Sequence, residues 1–277
     1  MILRELMMQA QARLRDANIE NPGRDVRKLV AAALAVPAER LTLISGSTAS
    51  PDQVAQFEAY VSQRLARKPV ARILGYREFW GRKFEISADV LDPRADTETI
   101  VLEALKTPAK RLLDLGTGSG VLAVTLVAEW PDAQAVASDI SNAALAIAKT
   151  NAAAHGVAGR VEFCCSDWFA AISGQFDLIV SNPPYISESE FPELSADVTH
   201  YDPKIALSPG KDGLAAYRTI ARDAQNHLLP SGRLIVEIGA SQGAAVKKIF
   251  TQIGYQEIEI LKDLSERDRV VTAKMPD

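Results

Sequence analysis

The first 75 residues carry apolar positions at the spacing of amphipathic helices. Two stretches repeat every three or four residues, namely Leu3, Leu6, Ala10 and Leu14, followed by Val26, Leu29, Val30, Ala33 and Leu34. The second stretch begins just after "NPG" (21–23), a turn signal. The pattern predicts at least two helices packed through their apolar faces.

A third helix is predicted over "SPDQVAQFEAYVSQRL" (50–65). Ser50 suits the N-cap, Pro51 suits the first helical position, and Gln53 completes a capping box. Its predicted buried stripe is Val54, Phe57, Val61 and Leu65. Residues 1–75 are therefore predicted to form a small helical bundle. Because this part lacks a cluster of catalytic residue types, we expect it to recognise a substrate.

A short segment with a different pattern follows the helical part. In "REFWGRKFEIS" (77–87), Gly81 lies between two arms rich in aromatic residues. This arrangement predicts a β-hairpin. We expect residues 76–92 to be a linker between two domains.

Beyond residue 93, apolar strand patterns alternate with helical ones. The strand candidates are 111–115, 134–138, 161–165, 176–181, 233–238, 255–261 and 269–274. Helices are predicted between the earlier ones, for example over 141–154 and 213–228. This alternation is typical of an α/β domain in which helices cover both faces of a mostly parallel sheet. Ligands of such sheets bind beyond the carboxyl ends of the strands.

The first of these strands runs into a glycine-rich loop, "LLDLGTGSG" (112–120). Gly116, Gly118 and Gly120 allow a tight turn and a close approach of the backbone to a ligand. The helix expected from Val121 would direct free N–H groups to the same place. Val121 stands where the dinucleotide fingerprint requires its third glycine, and no Lys-Ser/Thr pair completes a phosphate loop.

Three further strand ends carry residue types that suit a ligand. Asp139 ends the second strand, where a carboxylate can accept both hydroxyls of a ribose. Asp167 can accept from an adenine amino group, and Trp168 offers either a stacking face or a core contact. The fourth strand ends in "SNPPYIS" (181–187), which is either a turn or a site. Together these residues indicate a nucleoside-containing cofactor.

Composition and charge narrow the class of protein. The chain has 277 residues, of which 47% are hydrophobic and 24% charged, and a net charge of −4. Residues 1–83 hold 14 Lys+Arg against 8 Asp+Glu, and residues 84–277 hold 17 against 27, so a basic part precedes an acidic one. Cys164 and Cys165 are adjacent, which excludes a disulfide framework and a zinc spacing between them. No apolar run reaches membrane-spanning length, and the charged start does not suit a signal peptide.

Four short motifs of the chain resemble those of a known family. "LDLGTGSG", "SDI", "SDWF" and "NPPY" are similar to motifs of class I S-adenosylmethionine-dependent methyltransferases. The closer resemblance is to the release factor glutamine methyltransferases, with a "PRxxTE" segment before the catalytic domain. Here "LDPRADTE" (91–98) matches it at Pro93, Arg94, Thr97 and Glu98, and "PKIALSPGKDGL" (203–214) also matches. Asp92 and Ala95 depart from the family pattern.

The resemblance implies a seven-stranded, Rossmann-like catalytic domain over residues 93–277 and S-adenosyl-L-methionine as cofactor. It implies methyl transfer to the glutamine of the Gly-Gly-Gln motif in peptide chain release factors. The residues implied to bind cofactor are Asp114, Gly116, Thr117, Gly118, Ser119, Gly120, Asp139, Asp167, Trp168 and Asn182. Those implied to bind substrate and act in catalysis are Asn182, Pro183, Pro184 and Tyr185. We expect a cytoplasmic monomer without a metal, a membrane contact or direct nucleic-acid binding.

The chemistry of "NPPY" suits an amide substrate. A glutamine amide nitrogen is a poor nucleophile, so alignment with the methyl donor is the main task of the protein. The Asn182 side-chain oxygen and the Pro183 carbonyl can each accept one N–H of the substrate, and Tyr185 can pack against the planar group. The two prolines restrict the loop and remove competing N–H groups.

Other functions remain open on the sequence alone. "NPPY" also occurs in methyltransferases that act on the adenine amino group of nucleic acid, and a glutamine in a ribosomal protein is another possible target. A non-catalytic adaptor that binds the cofactor is the remaining alternative. Against nucleic acid, the basic part lacks basic runs interleaved with aromatic residues.

Overall fold

The computed structural model describes residues 1–194, 196–208, 210 and 212–277. The helices are α1 (Leu3–Asp16), α2 (Pro22–Ala33), α3 (Pro51–Leu65), α4 (Val70–Leu74), α5 (Glu98–Ala104), α6 (Val121–Glu129), α7 (Asn142–Ala154), α8 (Ala196–Thr199), α9 (Lys204–Leu207), α10 (Ala215–Ala224) and α11 (Gly243–Ile253). The strands are β1 (Tyr76–Phe79), β2 (Arg82–Glu85), β3 (Arg111–Leu115), β4 (Gln134–Asp139), β5 (Val161–Cys165), β6 (Phe176–Ser181), β7 (Leu228–Glu237), β8 (Gln256–Lys262) and β9 (Asp268–Lys274). The chain divides into two units: Met1–Tyr76 with Ser195–Tyr201, and Arg77–Leu194 with Asp202–Asp277.

The first unit is helical, as the apolar periodicity predicts. In α1, Leu3, Leu6, Ala10 and Leu14 are all buried. The predicted capping box of α3 is present: Gln53 N donates to Ser50 Oγ at 3.3 Å, and Ser50 N donates to Gln53 Oε1 at 2.9 Å. This box satisfies two N–H groups that the first turn of a helix leaves unpaired.

The buried face of α3 differs in part from its prediction. Phe57 and Val61 are fully buried, whereas Val54 and Leu65 are only partly buried. Arg64 is buried in addition, and its guanidinium donates to Asp25 at 2.8 Å and to Asp197 at 2.9 Å. A buried arginine requires such carboxylate partners. The second of them comes from α8, so this contact depends on a segment that sequence reasoning did not assign to the unit.

The hairpin predicted around Gly81 is confirmed as the two-stranded sheet β1–β2. Gly81 has a φ of +67°, in the left-handed region that a tight turn uses. Asp92, one of the departures from the family pattern, is buried and binds Arg77 of β1 through two hydrogen bonds. The carboxylate therefore fixes the chain after the hairpin to its first strand.

The second unit contains a seven-stranded sheet in the order β5-β4-β3-β6-β7-β9-β8. The strands from β5 through β7 pair in parallel, whereas β9 is antiparallel to both β7 and β8. Alternate residues of the central strands point to opposite faces. Leu112 and Leu178 pack with α5 and α6 on one face, and Leu113 and Ile179 pack with α10 and α11 on the other. The predicted mostly parallel α/β fold is confirmed.

One predicted helix is shorter than its pattern, and the strand after it is longer. The helix predicted over 213–228 spans only 215–224, and β7 begins at Leu228 rather than at 233. Ser231 has a φ of +59°, and the pairing with β6 shifts register between Leu228 and Arg233. The "PSG" segment (230–232) is therefore an irregularity inside an extended strand, although its composition predicts a turn before the strand.

Candidate functional site

A cavity of about 360 Å³ lies beyond the carboxyl ends of β3, β4, β5 and β6. The strand β3 has β4 on one side and β6 on the other, so the chain reverses its direction of winding there. This switch point is where open α/β sheets bind ligands. Of the predicted site residues, those that line the cavity are Asp114, Gly116, Thr117, Gly118, Ser119, Asp139, Asp167, Trp168, Asn182 and Pro184. Gly120, Pro183 and Tyr185 do not line it.

The glycine loop after β3 turns through two left-handed residues at the cavity wall. Gly116 has a φ of +68° and Gly118 a φ of +55°. A Cβ built on either residue would meet no atom within 4 Å. Both therefore combine a conformation that favours glycine with open space for a ligand.

Gly120 follows the same spacing but has a different role in the fold. A Cβ on Gly120 would lie 3.1 Å from the Cβ of Ala148 in α7. Its φ of +83° also favours glycine at the N-cap of α6. The absence of a side chain here permits α6 and α7 to pack closely, so we assign Gly120 to packing.

Asp114 is buried beneath the glycine loop. Its Oδ2 accepts from Thr117 Oγ1 at 2.6 Å and from Ala123 N at 3.1 Å. Its Oδ1 is buried without a hydrogen-bond partner among the described residues. Burial raises the pKa of this carboxyl to about 6. A cationic ligand would supply the missing donor and favour the charged form.

Asp139, at the end of β4, connects the glycine loop to the next helix. Its Oδ2 accepts from Gly118 N, and its Oδ1 accepts from Ser141 N, both at 2.9 Å. Each carboxylate oxygen can accept two hydrogen bonds. The side chain is therefore held in place while it retains acceptor capacity toward the cavity.

Trp168 adopts a strained backbone conformation at the cavity wall. Its φ is +48°, which is unusual for a bulky side chain. Ser166 donates to the Trp168 carbonyl at 2.8 Å and accepts from Ala171 N at 3.0 Å, so one hydroxyl stabilises the turn. Such strain persists where the surrounding structure enforces it, often at binding sites. The neighbouring Asp167 is exposed at the same wall.

The charged side chains that line the cavity in the described part of the chain are all acidic. Asp89, Asp114, Asp139 and Asp167 line it, and no Lys or Arg does so within the part of the chain that the structure describes. Among these described residues, a phosphate-bearing ligand would meet carboxylates and no basic side chain. The site therefore favours a ligand that carries positive charge.

The Asn182 side chain lies at the carboxyl end of β6 and belongs to a chain of hydrogen bonds. Its Nδ2 donates to Thr97 Oγ1 at 3.1 Å, and Thr97 Oγ1 donates to Glu237 Oε2 at 2.5 Å. Thr97 and Glu237 are 2% and 1% exposed. Burial raises the pKa of Glu237 to about 7. The amide nitrogen of Asn182 is thus occupied, which leaves its oxygen for the cavity.

Tyr185 lies behind the cavity wall instead of forming part of it. Its hydroxyl donates to Glu237 Oε1 at 3.3 Å, and its ring packs against the core on the α10–α11 face. Pro183 is buried, and Pro184 is half-buried at the wall. The structure therefore brings Asn182 and Pro184 to the cavity, with Tyr185 behind them.

Two residues that sequence reasoning left without a role hold the loop after β6. Gln242 Nε2 donates to the Tyr185 carbonyl at 2.9 Å, and Gln242 Oε1 accepts from Gly239 N at 3.0 Å. A Cβ on Gly213 would lie 2.5 Å from the same Tyr185 carbonyl, so only glycine fits there. For Gln242, the available signal in the sequence was the set of polar residues in "VEIGASQG" (236–243), at the end of an apolar strand.

The described residues offer neither a metal site nor a membrane-spanning helix. No group of three or more His, Cys, Asp or Glu side chains is arranged to hold a metal ion in the ranges that the structure covers. Within the same ranges, no helix has the length and apolar character that a membrane span requires.

Comparisons with known proteins agree with this architecture. A family model described as methyltransferase small domain matches residues 86–201, and one described as PrmC N-terminal domain matches residues 5–75. A methyltransferase structure from Pyrococcus furiosus superposes with a TM-score of 0.55 at 16% identity, over 79% of this chain and 98% of that one, which shows a shared fold.

Two relatives that match nearly the whole of this chain identify the family. The release factor glutamine methyltransferase of Cereibacter sphaeroides is 49% identical over 272 residues, which cover 98% of both chains. That of Rhodospirillum rubrum is 40% identical over 277 residues, which cover 99% of this chain and 85% of the relative. The chain therefore belongs to the release factor glutamine methyltransferase family.

Proposed function

We propose that this protein transfers a methyl group from S-adenosyl-L-methionine to the side-chain amide nitrogen of the glutamine in the Gly-Gly-Gln motif of peptide chain release factors. The observation that carries the proposal is the cavity itself. Four carboxylates and the Asn182 amide line this one cavity. The amide nitrogen of Asn182 already donates a hydrogen bond to Thr97. The names of the two relatives described above support the same substrate. We place the reaction in the cytoplasm, where translation termination takes place.

The residues of the cavity fit the proposed cofactor. S-adenosylmethionine, when bound, supplies a methyl group on a positively charged sulfur, and it also carries an ammonium group. Asp114 offers a buried oxygen that has no hydrogen-bond partner in the described part of the chain, which suits the ammonium. Asp139 has acceptor capacity for ribose hydroxyls, Asp167 for the adenine amino group, and Trp168 provides an aromatic face at the same wall.

The role of Asn182 follows from which of its atoms is free. Because Nδ2 donates to Thr97, Oδ1 can accept an N–H of the substrate amide. That contact orients the substrate nitrogen and stabilises positive charge as it develops there, with little reorganisation at the moment of reaction. The Pro183 carbonyl stays the predicted acceptor of the second N–H, although Pro183 is buried and does not line the cavity. Pro184 adds rigidity to the wall, and Tyr185 supports the loop from behind.

The helical unit is proposed to recognise the protein substrate. Residues 1–83 carry a net positive charge, whereas residues 84–277 carry a net negative one. We expect the helical part to make contacts remote from the glutamine, while the cavity binds the cofactor and the reacting amide. The functional division into residues 1–75, 76–92 and 93–277 stays a prediction, as does the monomeric state.

A labelling experiment tests the proposal against its alternatives. The protein is incubated with methyl-labelled S-adenosylmethionine and with purified release factor, the same factor with its Gly-Gly-Gln glutamine changed to alanine, ribosomal proteins, or DNA. We expect label in the intact release factor and none in the alanine variant. Label in DNA would instead identify an adenine methyltransferase, and cofactor binding without transfer to any target would identify an adaptor.

A further inference from the structure

The hydroxyl group of Thr97 links the Asn182 amide to the Glu237 carboxylate. Thr97 is the last residue of a short 3-10 turn, Ala95–Thr97, that runs directly into α5, and its φ of −65° and ψ of −20° are helical. Its side chain makes no capping bond to α5. The hydroxyl instead accepts from Asn182 and donates to Glu237. Its oxygen and its hydrogen are therefore both used within the site.

The direction of this hydrogen-bond chain follows from the donors available. A threonine hydroxyl has one hydrogen, and an ionised carboxylate can only accept. When Glu237 is ionised, the hydrogen of Thr97 is committed to Glu237 Oε2, so Thr97 can only accept from Asn182. The Asn182 amide must then turn its NH₂ group toward Thr97 and its oxygen toward the cavity. Tyr185 donates to the other oxygen of Glu237, which favours the same acceptor state.

We propose that Thr97 and Glu237 are positioning residues that determine which end of the Asn182 amide faces the substrate. This inference rests on the proposed methyl transfer to glutamine and deepens it. The two ends of an asparagine amide have nearly the same shape, so packing alone selects poorly between them. An amide turned the other way would present NH₂ to the substrate NH₂, and two donors cannot form a hydrogen bond.

Protonation of Glu237 removes the constraint on the orientation of the Asn182 amide. A carboxylic acid proton can be donated to Thr97, whose own hydrogen is then free for the oxygen of Asn182, and this permits the inverted amide. Glu237 is already close to this change, because burial raises its pKa to about 7. The polar and charged groups that act on its carboxyl come from several elements: Thr97 and Asp96 before α5, Tyr185 after β6, Tyr217 in α10 and Arg269 in β9.

Activity and stability should respond to pH in opposite directions at this group. The pKa of Glu237 in the folded protein lies above its ordinary value of 4.5, so the native state binds the proton more tightly than the unfolded chain. Its contribution to stability is complete below about pH 4.5 and is lost as pH rises through about 7. A fall in methyl transfer below about pH 7 would therefore not reflect unfolding caused by this residue.

The first test compares three variants at saturating cofactor. Thr97→Val removes the hydroxyl and keeps the side-chain shape, so we expect kcat to fall roughly tenfold with unchanged cofactor affinity. Thr97→Ser restores the hydroxyl and should recover most of the rate. Thr125→Val is the matched control, because Thr125 is a fully buried threonine of α6 whose hydroxyl has no hydrogen-bond partner among the described residues. It should leave kcat unchanged.

The second test is the pH profile of kcat, from about pH 5.5 to about pH 8.5. The wild-type rate should fall on the acid side with an apparent pKa near 7, the value for Glu237. Glu237→Gln cannot ionise, so its profile should be flat over the same range. Saturating cofactor is required because Asp114, with a pKa of about 6, would otherwise add its own titration.

Each outcome bears on the inference. A Thr97→Val rate equal to that of wild type contradicts it, as does a loss explained by weaker cofactor binding or by unfolding below the assay temperature. A Glu237→Gln profile that keeps the wild-type acid limb also contradicts it. Wild-type protein that methylates no release factor at any pH contradicts the proposed function itself, whereas active wild type with an unaffected Thr97→Val variant contradicts this inference alone.

Discussion

The glycine loop after β3 is held by its own residues, by Asp139 of β4 and by Asn151 of α7, which lies 32 positions from its partner. The loop after β6 depends on more distant parts of the chain. Gly120 N donates to Thr117 O at 2.8 Å, and Thr117 Oγ1 donates to Asp114. Around "NPPY", by contrast, Asn182 contacts a residue 85 positions away, and the Tyr185 carbonyl contacts one 57 positions away. A local motif can therefore reveal the first loop but only part of the second.

This difference suggests that one end of the cavity binds the cofactor and the other end acts in methyl transfer. Carboxylates and glycines at the carboxyl ends of β3 and β4 form the proposed cofactor end of the cavity. Asn182 belongs to the proposed transfer end, together with Thr97, which also lines the cavity, and the buried Glu237 behind them. We expect substitutions at the first end to change cofactor affinity, and those at the second to change the rate of transfer.

The largest expected effect is that of Asn182→Ala. It removes a preorganised acceptor that acts on the developing charge, and such losses cost about 2.7–4 kcal/mol, or roughly a hundred- to thousandfold in rate. Single-turnover transfer to release factor measures this effect, with calorimetry to confirm that the cofactor still binds.

Asn182→Asp tests whether position 182 needs only a hydrogen-bond acceptor or also the N–H group that orients the side chain toward Thr97. If accepting a hydrogen bond were the only requirement, this variant would retain more activity than alanine, because it keeps an acceptor. The structure predicts a large loss instead, since Thr97 needs a donor at Asn182 Nδ2 and a carboxylate has none to offer. Activity near the wild-type level would show that the Thr97 contact is dispensable.

Asp139→Ala should have the next largest effect, and it should act on affinity. It removes a charged acceptor and also the partner of Gly118 N in the glycine loop. We expect cofactor binding to weaken by roughly 1.5–3 kcal/mol in calorimetry. Trp168→Ala should weaken it less, because it removes one aromatic face. Unchanged affinity in Asp139→Ala would exclude the β4 end from the cofactor site.

Gly213→Ala tests the remote support of the loop after β6. Its Cβ would clash with the Tyr185 carbonyl at 2.5 Å, and its φ is +68°. We expect thermal unfolding to show a loss of stability on the order of 2 kcal/mol and methyl transfer to slow, with little change in cofactor affinity. Gly156→Ala is the matched control, because its φ of +70° imposes the same strain where no atom lies within 4 Å. If Gly213→Ala and Gly156→Ala changed stability and methyl transfer equally, the close approach of Gly213 to the Tyr185 carbonyl would have no role in the site.

The smallest expected effect concerns Asp114. Its folded pKa of about 6 lies above the ordinary 3.8, so its contribution to stability is complete below about pH 3.8 and is lost as pH rises through about 6. Asp114→Asn removes this cost, and we expect the cofactor-free protein to gain on the order of 1–2 kcal/mol near pH 8. Cofactor binding should weaken in the same variant. A stability difference that does not change with pH would contradict the assigned pKa.

Sequence patterns predicted those parts of the fold that depend on nearby residues. The capping box of α3, the Gly81 hairpin and the strand ends at Asp139 and Asn182 all follow from short-range spacing or turn chemistry. The Thr97–Glu237 contact joins residues 140 positions apart, and nothing in the surrounding sequence shows that β7 and the turn before α5 meet. Gly120 fitted the loop pattern, yet the atoms that exclude its side chain belong to Ala148 of another helix.

The division between the two ends of the cavity is tested most directly by one titration. Single-turnover methyl transfer to release factor is measured as a function of cofactor concentration for wild type, Asn182→Ala and Asp139→Ala. We predict that Asn182→Ala keeps the wild-type half-saturation and loses most of its plateau rate, whereas Asp139→Ala needs more cofactor and then approaches the wild-type plateau. If each variant changed both the half-saturating cofactor concentration and the plateau rate, the proposed division between the two ends of the cavity would be wrong.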